Sequence, residues 1–377
     1  MKKSALLLTS CTLLICGSVS SFKHSSGDHP TLAIGAQAPD FSLPGVDGKT
    51  YTLNSFKNSS VLVVVFTCNH CPTAQAYEDR IIQLTADYKD KGVAVVAIMP
   101  NDPQAIRLDE LGYTDLSDSF DEMKIRARNK HYNFPYLFDG ATQAVAHAYG
   151  PIATPHVFIF DRDRKLCYSG RIDDVEKPSK TPHIQDTRNA LNAVLAGKKP
   201  DVATTKVFGC SIKWAEKEDW KQKAARAWAK EPVRIDSIGS AGVKSLLQNK
   251  SDSLRVLIFW GTKSSLSVAR FLDFVDINRM YRLREYQMVS ICADGPGQNR
   301  EALAFLNQNE ASFTNYIFNS SDKYKLIKAV DPKWKGELPY VVLVEPGGKI
   351  AYAKQGNIDP AELKKAIVDE PVIGRYY

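Results

Sequence analysis

Apolar residues in the first half of the chain fall into short unbroken runs separated by amphipathic stretches. Val61 to Phe66 is a continuous β-branched and aromatic run, the pattern of a strand covered on both faces. Thr73 to Lys89 carries Ala76, Ile81, Ile82, Leu84, Ala86 and Tyr88 at helical spacing. Val93 to Met99 reads as a second buried strand and Val157 to Phe160 as a third. Ser119 to Tyr132, Gln143 to Tyr149 and Asp186 to Leu195 are helix candidates. Pro39 to Leu43 and Val46 to Lys49 read as a hairpin with an Asp-Gly turn. Lys165 to Ser169 returns as a hairpin partner after the polar turn Asp161-Arg162-Asp163-Arg164. Strands alternating with helices predict an α/β domain with a central sheet.

The second half repeats this outline. Val256 to Trp260 and Tyr286 to Ala293 read as strands, with helices at Ser267 to Tyr281 and Arg300 to Asn309. Thr314 to Phe318 is a short strand, and Val341 to Glu345 with Lys349 to Ala353 form a hairpin across Pro346-Gly347-Gly348. Pro360 to Val368 closes the chain as a helix, with proline suited to its first turn. A repeated fold is the economical explanation. Between the halves, Trp214 to Glu231 is dominated by Lys, Glu, Ala and Trp without strand pattern, which reads as a helical linker ended by Pro232.

The N-terminus has a different pattern. Lys2 and Lys3 precede an apolar stretch from Ala5 to Ile15 and then the small residues Gly17 to Ser21. That is the order of a secretory signal peptide, with cleavage expected near Ser20 or Ser21. The apolar run is shorter than the ~20 residues that span a bilayer, and no later segment is apolar for long enough. Leu8-Thr9-Ser10-Cys11 has the shape of a lipobox, which leaves a lipid anchor open beside simple export to the periplasm or envelope.

Composition adds little to the fold but narrows the chemistry. The 377 residues are 44% hydrophobic and 24% charged, ordinary for globular domains. The net charge of +7 comes from basic residues interleaved with acidic ones, so no nucleic-acid stripe is expected. Of seven cysteines, Cys11 and Cys16 fall in the leader; Cys68, Cys71, Cys167, Cys210 and Cys292 remain. Five is too sparse for a disulfide scaffold, and one close pair on a large chain points to chemistry.

That pair lies in Phe66-Thr67-Cys68-Asn69-His70-Cys71-Pro72, where a buried strand meets a helix. Unpaired N–H groups at a helix start stabilise a thiolate, whose pKa can fall from ~8.5 to about 3.5–7.5. The thiolate is the species that attacks a disulfide. On this reading Cys68 attacks and Cys71 resolves. His70 between them favours the thiolate if it carries a proton or donates to sulfur; otherwise it is a surface histidine. Haem attachment would need His where Pro72 stands. Zinc would need a second ligand pair, and His131, His147 and His156 are isolated, so neither metal nor cofactor is expected.

Several separated motifs resemble one family. Ile34 to Phe41 resembles the entry of redoxin domains related to alkyl hydroperoxide reductase and thiol-specific antioxidant. Val65 to Ala74, Tyr149 to Asp161, Tyr168 to Asp174 and Gly209-Cys210-Ser211-Ile212-Lys213-Trp214 are similar to a peroxiredoxin-like thioredoxin subfamily. The resemblance implies that Thr154-Pro155 is a cis-proline loop facing the dithiol, with backbone groups free to pair with a substrate chain. It also implies that Cys210 is either a third redox cysteine or a buried free thiol. A cysteine often precedes this Thr-Pro in the subfamily; here the position is Ala153. Peroxiredoxins place their attacking cysteine after Pro-x-x-x-Thr-x-x-Cys. Counting back from Cys71, this chain has Cys68 and Val64 at the Thr and Pro positions. The second half resembles thioredoxins more weakly. Phe259 to Ser267 reads like an active-site segment with Ser264 and Ser267 at the cysteine places, and Leu338-Pro339 as its cis-proline loop.

The sequence thus predicts tandem thioredoxin-like α/β folds, each a central mixed sheet flanked by helices. The expected order is a signal peptide (1–21), a redoxin domain (32–215), a helical linker (216–231) and a degenerate domain without the dithiol (232–377). The expected activity is exported thiol–disulfide exchange at Cys68 and Cys71, supported by His70, Thr154 and Pro155. Its partners would be protein thiols or disulfides and a redox donor protein. A thiol peroxidase and a non-enzymatic envelope binding protein are the alternatives. The second half would bind a partner, position a substrate or brace the first.

Overall fold

The alternating pattern becomes two mixed sheets with helices on their faces. The computed structural model describes residues 29–140, 142–175 and 180–374. The signal-peptide and lipobox readings therefore lie outside the described residues. Within them, no helix is long and apolar enough to cross a membrane.

In chain order the first half forms β1 (Ser42–Pro44), β2 (Thr50–Thr52), β3 (Val61–Phe66), α1 (Pro72–Tyr88), β4 (Val93–Met99), α2 (Phe120–Asn129), β5 (Tyr136–Phe138), α3 (Ala144–Tyr149), β6 (Ala153–Thr154), β7 (His156–Phe160), β8 (Leu166–Gly170), α4 (Asp186–Leu195) and β9 (Cys210–Ser211). Five of these strands make a sheet in the order β5-β4-β3-β7-β8. At its centre β3 runs parallel to β4, with Val61 opposite Val93, and antiparallel to β7, with Leu62 opposite Phe160. All six residues of β3 are buried because both faces are covered. Full burial of a large apolar side chain is worth about 1.5–3 kcal/mol, so a slipped register would be costly here. Val61, Val63 and Val65 pack towards α1 and α4, while Leu62, Val64 and Phe66 pack towards α3 and the N-terminal hairpin.

The second half continues with α5 (Glu218–Trp228), β10 (Asp236–Ile238), α6 (Ser240–Gln248), β11 (Leu254–Trp260), α7 (Ser265–Tyr281), β12 (Tyr286–Cys292), α8 (Asn299–Gln308), β13 (Thr314–Phe318), α9 (Lys323–Val330), β14 (Tyr340–Val344), β15 (Ile350–Gln355) and α10 (Pro360–Val368). Its sheet order is β10-β13-β12-β11-β14-β15. Leaving out the edge strand β10, this is the order of the first sheet. In each, a central strand has a parallel neighbour on one side and an antiparallel hairpin on the other.

The two halves share a core. Ile106 and Leu111, from the segment between β4 and α2, are buried among Leu254, Phe274, Tyr281 and other second-half residues. That segment forms short 3-10 turns at Pro103–Ala105 and Leu108–Leu111. Its far end, at Asp118, reaches the dithiol.

Candidate active site

β3 ends at Phe66, and α1 begins at Pro72 with Cys71 as its N-cap. Proline is suited to the first helical position because its missing N–H is not needed there. The helix therefore starts at the second cysteine, one turn later than a Cys68 start would require. The Cys71 sulfur accepts from Ala74 N–H at 3.5 Å and from Cys210 N–H at 3.3 Å. Cys68 Sγ lies 3.1 Å from Thr154 Oγ1, and the Cys71 thiol donates to the Thr154 carbonyl at 3.3 Å. Each of the two thiols shifts the ionisation of the other. Thr154-Pro155 is cis, as is Leu338-Pro339 in the second half. Cys68, Cys71 and His70 are 2%, 0% and 1% exposed.

His70 is not a surface histidine. Its Nδ1 lies 2.7 Å from Asp118 Oδ2. The same carboxylate accepts from the backbone N–H groups of Asn69 (2.8 Å) and His70 (3.0 Å) and from Asn101 Nδ2 (2.7 Å). Asp118 is fully buried, and these donors compensate its charge. Burial alone would raise the Asp118 carboxyl, but His70 and Asn101 outweigh it and hold the group below the usual carboxylate range. Burial lowers the His70 imidazole, and Asp118 more than offsets this by charge and hydrogen bond, so His70 favours the charged form. His70 Nε2 is buried without a protein partner.

The two sulfurs differ sharply in acidity. Burial, the bond to Cys71 and the Asp118 charge push Cys68 well above the ordinary thiol range. Burial also opposes ionisation of Cys71. Hydrogen bonds from Cys210 and Cys68, the His70 charge and the Ala74 N–H overcome it and hold Cys71 well below that range. The expectation of an acidic Cys68 is therefore reversed, because Cys210, Cys68 and the His70 charge, with the helix-start N–H of Ala74 after them, all act on Cys71.

Cys210 also belongs to this group. β9 pairs antiparallel with β6, placing Cys210 opposite Thr154, and its backbone N–H donates to the Cys71 sulfur. Cys68, His70 and Asp118 offer ligand atoms within 4.8 Å of one another, a set that could hold a metal. The Asp118 oxygens are already taken by four N–H donors, so the arrangement serves to hold the imidazole rather than to gather a cation. Cys292 is buried, whereas Cys167 is half-buried on β8 rather than in the core.

The second half repeats the frame without sulfur. Ser264 caps α7, accepts from Ser267 N–H at 3.2 Å and donates to the Leu338 carbonyl at 3.0 Å. Both bonds match those of Cys71, so Ser264 corresponds to Cys71 rather than to Cys68, and Ser267 corresponds to Ala74.

Asp118 and Asn101 escaped the sequence reading because they lie 48 and 31 residues from His70. A readable signal marked the place: Ser119-x-x-Glu122 is a capping-box pattern that starts α2 right after Asp118.

The redoxin family model matches residues 33–190, which contain Cys68, Cys71, His70, Asp118 and Thr154. Residues 33–190 thus form a redoxin domain. It is an oxidoreductase. Thiol-disulfide oxidoreductase ResA of Bacillus cereus is 28% identical over 176 residues, covering 44% of this chain and 87% of that protein. A hypothetical protein from Sinorhizobium meliloti is 37% identical, covering 49% of this chain and 97% of its own, with a TM-score of 0.44. An uncharacterized conserved protein from Geobacillus kaustophilus is 39% identical, covering 48% of this chain and 92% of its own, with a TM-score of 0.43.

Proposed function

We propose that this redoxin works as an exported thiol–disulfide oxidoreductase whose couple is Cys68 and Cys71, exchanging with protein thiols or disulfides and served by a redox donor protein. The observation that carries the reading is the buried pair itself. Its two sulfurs both meet Thr154, one sits on a helix N-terminus, and an Asp118–His70 pair stands behind them. The thiolate belongs to Cys71, with Cys68 as the partner that completes the disulfide, and His70 and Thr154-Pro155 in support. In this reading residues 1–21 direct export, 32–215 form the redox domain, 216–231 link, and 232–377 form a domain without a dithiol.

The part of that last domain is to brace. Tyr281 Oη donates to the Thr114 carbonyl at 2.8 Å, and Arg284 donates to the Gly112 carbonyl at 2.9 Å while lying 3.8 Å over the Tyr113 ring. These contacts support the segment that ends at Asp118. The test is reduction of insulin disulfides by the full chain in the presence of dithiothreitol. Cys71→Ser is expected to fall to the uncatalysed rate, and Cys68→Ser to lose most of the activity. Full activity in the Cys71→Ser variant would refute the reading.

A further inference from the structure

Both sulfurs of the couple are sealed from solvent, yet an oxidoreductase must pass electrons to another molecule. The element that covers Cys71 is the strap around β9. Its Cys210 N–H is bonded to the Cys71 sulfur, and its ladder to β6 is only two residues long. The strap fits closely. Gly209 has φ +135, and a Cβ there would run into the Thr154 carbonyl oxygen. On its outer side the strap is open: Gly209 and Ser211 are exposed and Cys210 is half-buried. Among the described residues, Cys210 is thus the cysteine that touches the buried couple and also approaches the surface.

We propose that Cys210 is an internal relay thiol that takes the disulfide from the buried Cys68–Cys71 pair and presents it at the strap. This rests on the redox reading of that pair. In the oxidised protein, Cys210 gives up its proton and attacks Cys71 Sγ. The Cys71–Cys210 bond forms, the Cys68–Cys71 bond breaks, and Cys68 leaves as a thiolate that takes up a proton. No electrons enter or leave; the disulfide moves. A donor dithiol then reduces Cys71–Cys210 at the strap. Cys71 is suited to the central position because its sulfur accepts from the Cys210 N–H and shares Thr154 with the Cys68 sulfur.

The test is disulfide mapping by mass spectrometry on the full chain after oxidation with diamide and acid quenching. Cys68→Ser removes the competing partner and is expected to leave a Cys71–Cys210 disulfide as the main product. Gly209→Val lifts the strap and is expected to slow formation of that bond by roughly ten- to a hundredfold, as misplacing reacting groups does. Protein carrying Gly209→Val alone, with Cys68 intact, should still form Cys68–Cys71, which separates strap displacement from misfolding. Separate alkylation of Cys71 and Cys210 in oxidised Cys68→Ser protein overturns the relay. If wild-type protein also fails to join Cys68 to Cys71, the redox reading fails with it. If wild-type protein does join them, only the relay fails.

Discussion

Cys68 and Cys71 stand three positions apart and yet have opposite acidities, because charge and hydrogen bonding reach them unequally. Cys71 receives backbone donors and the field of His70; Cys68 receives burial and the Asp118 charge. Thiolate absorbance at 240 nm measures this directly. An ordinary thiol ionises near ~8.5. Reduced protein should keep one thiolate well below that point and lose it only as pH falls through the depressed Cys71 value. Cys71→Ser should abolish this transition and Cys68→Ser should keep it. Asp118→Asn should move it upward, because the imidazolium facing Cys71 loses its counter-charge. An unmoved transition in Asp118→Asn would remove the carboxylate from the account. The same pair links stability to pH. The depressed Asp118 contributes stability that is present above ~3.9 and lost as pH falls through its folded value. The raised His70 contributes stability that is present below ~6.5 and lost as pH rises through its folded value. Both contributions are whole only between those limits.

At the level of elements, the sequence was most informative where periodicity and burial agree. The run Val61 to Phe66 became β3, buried at every position, and Val93 to Met99 became β4 within the same limits. Helix ends were less legible. Pro72 after Cys71 is a start signal, and it places the helix cap at the second cysteine. The segment from Asn101 to Asp118 has neither period, because its apolar residues Ile106 and Leu111 face the core of the other half rather than its own sheet. β9 could not be read at all, since two residues carry no alternation and its pairing with β6 spans more than fifty residues. The local motif around Cys210 was visible, but its contact with Cys71 is a property of the fold.

Across the whole molecule, the two sheets share one strand order, and only the first carries sulfur at its helix start. The second contributes through contact. Tyr281 reaches from the end of α7 to the Thr114 carbonyl, and Lys364 on α10 lies 3.5 Å from Glu122 at the start of α2. Asp118 is held between these two anchor points. Tyr281→Phe leaves a buried carbonyl short of a donor, which costs about 1–3 kcal/mol of stability. It should also raise the Cys71 thiolate transition, in the same direction as Asp118→Asn and by less. Stability lost with the transition unmoved would reduce the second half to a structural neighbour of the site.

The central claim is that Cys68 and Cys71 form one reversible couple. Equilibrating the full chain across glutathione buffers, quenching with acid and mapping the alkylated cysteines tests it most directly. The account predicts a single two-electron transition, inside the roughly −270 to −120 mV span of comparable couples, in which the sulfur atoms of residues 68 and 71 are chiefly joined to each other. If both remain open to alkylation in the most oxidising buffer, the couple does not exist.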